Sequence, residues 1–74
     1  MQNEKLVMFG QRVRELRKSK GLSQEAMAAL AGLDRSYMGY IERGEKNITL
    51  LKIYQISEAL EVEVGDLFIS NWLK

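Results

Sequence analysis

The segment from Gln24 to Arg43 admits few folds, because two short helical stretches are joined there through only Gly32-Leu33-Asp34. Two helices that cross steeply through so tight a turn place demands on particular positions. A small residue must stand where the helices approach closest, and Ala28 is there. The turn needs a residue that tolerates positive φ, and Gly32 supplies it. Met27, Leu30 and Leu33 must then point to the core, as must Met38 and Ile41 from the following helix. Ser23 and Asp34 occupy the positions where N-caps are required. Any one of these features is common in helical hairpins. The full set, in register, predicts a helix-turn-helix, with a merely structural hairpin as the other reading.

The rest of the chain reads as further helices punctuated by glycine, with no proline and no repeat. A first helix is predicted from about Lys5 to Lys20, with Leu6, Phe9, Val13 and Leu16 on one face. Gly10 inside it costs propensity, and Gly21 ends it with a left-handed cap. The second helix spans about Gln24 to Ala31 and the third about Arg35 to Arg43, closed by Gly44. Residues 45–48 form a polar loop. Thr49 caps a fourth helix through about Leu60, with Leu50, Ile53, Ile56 and Leu60 inward. Val62-Glu63-Val64 alternates like a strand but has no partner strand, so it reads as a connector. A fifth helix follows over about residues 65–73. The expected fold class is all-α, a single five-helix domain over residues 1–74.

Seventy-four residues bury a small core, which usually needs outside support. Cysteine and histidine are both absent, which excludes disulfides, zinc fingers and thiolate or imidazole catalysis. No glycine-rich phosphate loop and no carboxylate cluster of metal spacing is present, so no enzyme, cofactor or metal is expected. Oligomerisation is the remaining support. Leu6-Val7-Met8-Phe9 is too short for a signal peptide and no stretch has the length of a membrane span, so the expected location is cytoplasmic. Net charge is only +1, but residues 1–46 carry nine Lys/Arg against six Asp/Glu, and residues 47–74 two against four. A basic half facing nucleic acid and an ordinary solvated surface both fit that asymmetry.

Arg14-Glu15-Leu16-Arg17, Lys20-Gly21-Leu22-Ser23-Gln24-Glu25, Ala28, Ala31-Gly32 and Ile41-Glu42-Arg43-Gly44 together resemble the Cro and phage-repressor (XRE-like) family of helix-turn-helix domains. The resemblance covers about residues 9–68 and implies the lambda-repressor-like fold. Within that family, Asp34-Arg35-Ser36-Tyr37 followed by Ile41-Glu42-Arg43-Gly44 and Asn47 is most similar to controller proteins of restriction–modification systems. These are small regulators that bind inverted-repeat operators as homodimers and control their own gene and the endonuclease gene. Phage, plasmid and antitoxin-type repressors share much of the pattern. The resemblance further implies that Gln24 touches the DNA backbone, and that Arg17 and Glu42 form a partly buried structural ion pair rather than reading bases.

In a helix-turn-helix the second helix of the pair enters the major groove and presents its N-terminal outward residues to base edges. With Met38 and Ile41 inward, the outward set is Arg35, Ser36, Gly39, Tyr40 and Arg43. Arg35 is the first candidate for reading sequence, since a guanidinium donates two parallel hydrogen bonds to guanine, worth about 1–3 kcal/mol of discrimination. Its other reading is a surface ion pair with Asp34. Ser36 suits a base or a phosphate. Tyr37 and Tyr40 suit phosphate contact or packing on a thymine methyl, with a partly core role open for both. Gly39 gives up a base contact or permits close backbone approach. Ser23, Gln24, Arg43, Lys46 and Asn47 are candidates for phosphate, which sets register and salt-sensitive affinity. Lys18 and Lys20 read as solvated.

Leu67 suffices to close the core, so Phe68, Ile69, Trp72 and Leu73 would form an exposed apolar patch, the expected dimer interface with Trp72 as anchor. The other reading folds Trp72 back on its own domain. A two-fold dimer places two recognition helices about 34 Å apart, one turn of DNA. Glu25 and Asp34 flank this surface and are candidates for touching RNA polymerase. A helical interaction module that binds no DNA is the alternative from another class.

Overall fold

A computed structural model describes residues 3–68; within it, four α-helices and one 3₁₀ turn enclose a common core. The helices are α1 (Glu4–Ser19), α2 (Gln24–Ala31), α3 (Arg35–Arg43) and α4 (Leu50–Leu60). The fifth element begins at Val64 as a 3₁₀ turn through Phe68, so the residues expected to continue it, Ile69, Trp72 and Leu73 among them, lie outside the described residues.

Local chemistry sets the boundaries. Asn3 starts α1, its Oδ1 accepting from the Lys5 and Leu6 amides at 2.8 and 3.4 Å. Ser23 Oγ accepts from the Ala26 amide at 3.0 Å, and Thr49 Oγ1 from the Lys52 amide at 3.3 Å. Asp34 departs from expectation. It occupies the N-cap position of α3 with extended backbone, yet its side chain makes no cap hydrogen bond. The α2–α3 turn closes instead through Gly32 at φ +70°, where the Leu33 amide donates to the Ala28 carbonyl at 2.8 Å.

Phe9 and Val13 of α1, Met27, Ala28 and Ala31 of α2, Met38 and Ile41 of α3, Ile56 and Leu60 of α4, and Leu67 form the buried core. Burying Leu67 completely is worth about 1.5–3 kcal/mol and seals the end of the bundle. Arg12 reinforces that seal, its Nε donating to the Asp66 carbonyl at 2.8 Å.

Two leucines expected inside are outside. Leu30 is 60% exposed because the inward stripe of α2 runs through Met27, Ala28 and Ala31. There α4 meets it with a polar contact, Gln55 Nε2 donating to the Ala31 carbonyl at 3.2 Å. Leu50 is 65% exposed, since the buried side of α4 is centred on Ile56, Ser57 and Leu60 and the first turn projects past it.

Gly10 is required by packing. A Cβ built there would stand against the Ile41 carbonyl oxygen and 2.6 Å from that of Glu42. The backbones of α1 and α3 therefore touch, and any side chain at residue 10 would separate them.

Candidate nucleic-acid interface

The joint between α1 and α3 is held by a bidentate ion pair. Arg17 Nε donates to Glu42 Oε2 at 2.6 Å and Arg17 Nη2 to Glu42 Oε1 at 3.0 Å. Both residues are buried. The third guanidinium nitrogen, Nη1, donates to the Leu22 carbonyl at 2.7 Å. Gln24 Nε2 completes the network by donating to Glu42 Oε1 at 2.9 Å. Every buried side-chain polar atom among the described residues has a partner, which is the condition under which two charges are tolerated away from water.

That network fixes what lies on the other side of α3. Gln24, Arg35, Ser36, Gly39, Tyr40 and Arg43 line one open concavity of about 230 Å³ between α2 and α3. Arg35 and Ser36 stand exposed on the first turn of α3, and among the described residues no ion pair joins Arg35 to Asp34. Tyr40 is exposed at the rim, with Arg43 Cζ 5.2 Å and Lys46 Nζ 5.1 Å from its ring centroid. Two cations thus share one aromatic ring. Arg43 Nε also donates to Glu45 Oε1 at 3.1 Å. Lys46 and Asn47 are exposed on the loop that follows.

Among the candidate site residues, Gly39 alone sits differently from the sequence reading, and Tyr37 takes the partly core one of its two readings. Gly39, placed among the outward positions, is buried beneath the ends of the Arg43 and Gln24 side chains. Tyr37 is half-buried against the core, with Lys52 Nζ 5.3 Å from its ring. Ser23 uses its hydroxyl as the α2 cap acceptor. Phe68 is 59% exposed and its ring lies 5.2 Å from that of Phe9. Sequence reasoning missed the Gln24–Glu42 bond, the Arg43–Glu45 pair and the placement of Lys52 on Tyr37. Their only signal is helical register, and that shows which residues can meet, not which do.

Chemically the concavity offers cations, amide and hydroxyl groups and an aromatic ring along the outer side of α3 and the start of α2. No group of acidic side chains that could hold a metal occurs among the described residues, and none of their helices is long and apolar enough to cross a membrane. The arrangement suits recognition of a polyanion.

This fold and site define a class: the chain belongs to the helix-turn-helix family, whose model matches residues 13–67. It is similar to the restriction–modification controller protein C.AhdI from Aeromonas hydrophila, with 57% identity, a TM-score of 0.84, and coverage of 85% of this chain and 96% of that one. It is 46% identical over 68 residues to the control protein C.BamHI of Bacillus amyloliquefaciens, covering 90% of this chain and 84% of the relative. It also resembles SinR, the master regulator for biofilm formation, solved in complex with DNA, at 35% identity and TM-score 0.78, covering 82% of this chain and 98% of that one.

Proposed function

We propose that the chain is a sequence-specific DNA-binding transcription regulator and the controller of a restriction–modification system. The observation that carries this reading is the convergence of Gln24, Arg35, Ser36, Tyr40 and Arg43 on one concavity at the exposed side of α3. In the proposed mode α3 enters the major groove, Arg35 reads a guanine, and Ser36 and Tyr37 contact the neighbouring base or phosphate. Ser23, Gln24, Arg43, Lys46 and Asn47 hold the sugar–phosphate backbone, with the start of α2 adding its positive dipole end. The similarity to C.AhdI and C.BamHI over most of their lengths supports the controller assignment, and the SinR complex supports DNA as the ligand.

The chain acts in this reading as one domain over residues 1–74, in the cytoplasm and without catalytic activity. Two copies associate through Phe68, Ile69, Trp72 and Leu73, which presents two α3 helices about 34 Å apart to an inverted repeat. The exposure of Phe68 supports this surface. Glu25 and Asp34, both exposed beside the concavity, are the proposed contacts to RNA polymerase.

The test is a titration of the protein with duplexes carrying the inverted repeat of its own promoter and a scrambled version, at moderate salt. A preference for the repeat is expected, and Arg35→Ala should relax selectivity at one base pair per half-site by about 1–3 kcal/mol. Equal affinity for both duplexes would leave a helical interaction module as the function.

A further inference from the structure

Residue 39 faces the concavity but carries no side chain, and the tip of another side chain borders the space one would take. A Cβ built on Gly39 would lie 3.1 Å from Arg43 Nη1, 3.8 Å from Arg43 Cζ and 3.7 Å from Gln24 Oε1. Arg43 is one helical turn further on, and long helical side chains lean toward the N-terminus over the preceding turn. Its guanidinium therefore lies back across residue 39, with Cζ 5.2 Å from the Tyr40 ring centroid. Gln24 is itself held by its bond to Glu42, and its Oε1 lies 3.7 Å from the same Cβ position.

We propose that Gly39 sets how Arg43 meets the DNA backbone, acting through what it lacks: its missing side chain lets Arg43 lie inside the concavity and aims that guanidinium. This rests on the DNA-binding reading and assigns Gly39 a role as a positioning residue for Arg43. A methyl group at residue 39 meets only the far end of a flexible side chain, so the fold accepts it. The guanidinium has to move by a few tenths of an ångström or swing away. Paired hydrogen bonds from a planar fork depend on both distance and direction, so such a shift is enough to spoil them.

The opposite signs of two effects make the idea testable. Alanine in place of glycine inside a helix favours the fold, so Gly39→Ala should melt at or above the wild-type temperature. Its affinity for the inverted repeat should nevertheless fall about fivefold or more, by the loss of part of a charge-assisted contact. The full chain is titrated as wild type, Gly39→Ala, Arg43→Ala and the double variant. The substitution at Gly39 should change affinity less than about twofold once Arg43 is gone. Without DNA, NMR should show the Arg43 Nε–H and Tyr40 ring resonances displaced in Gly39→Ala. Unmoved resonances overturn the proposal, as does a Gly39→Ala variant that keeps wild-type affinity. The same loss in the Arg43→Ala background also overturns it, since the methyl would then be meeting DNA directly. A wild-type chain that binds no duplex overturns this proposal together with the DNA-binding reading; the other failures leave that reading intact.

Discussion

The two sides of α3 use the same residue types to opposite ends. Toward α1, Arg17 pairs with Glu42 at side-chain exposures of 9% and 1%, and Gly10 lets two backbones touch. Toward solvent, Arg43 pairs with Glu45 at 54% and 40%, and Gly39 makes room for the Arg43 guanidinium. An arginine, a glutamate and a glycine build a rigid joint in one place and an adjustable surface in the other. What differs is water. A buried pair cannot exchange its partner without stranding a charge, whereas a solvated pair exchanges for little. Function belongs where exchange is cheap.

The largest effect is expected from Glu42→Ala. It strands the Arg17 guanidinium and removes the acceptor of Gln24, and should lower unfolding free energy by about 3–5 kcal/mol in urea denaturation. A loss under 1 kcal/mol would mean that water reaches the joint. Gly10→Ala comes next. Although alanine is the better helix former, its Cβ meets the carbonyls of Ile41 and Glu42, and a cost of about 1–3 kcal/mol is expected. The contrast with Gly39→Ala is then direct, because one methyl meets backbone and the other a side-chain tip. If both variants melt together, the two sides of α3 do not differ as described. Least affected should be Glu45→Gln, which changes stability by no more than about 0.5 kcal/mol. By removing a competitor for Arg43 it should make affinity for DNA rise modestly and respond more steeply to salt.

The helix boundaries were legible because caps and stops are local chemistry. Ser23, Thr49, Gly32 and Gly44 each mark an end within a residue or two. Periodicity was less informative where it depends on what stands opposite. Leu30 repeats with Met27 as a core residue should, but the partner of α2 at that level is the Gln55 amide, so the leucine gains nothing by turning inward. Gly10 read as a weakness in α1 because its reason is a neighbour 31 residues away, Ile41. The candidate interface was legible as a set of residues on one helical face. How Gln24, Gly39 and Arg43 interlock was not, since that depends on side-chain directions that a helical wheel leaves open.

The Arg17 side chain grips three pieces of the protein at once: its own helix carries it, the Leu22 carbonyl caps one nitrogen, and Glu42 holds two others. One flat cation therefore works as a rivet between α1, the turn that follows it and α3, and Gln24 ties α2 to the same carboxylate. A duplex approaching these helices meets a prearranged backbone, so the ordering left to be lost on contact is that of the exposed side chains.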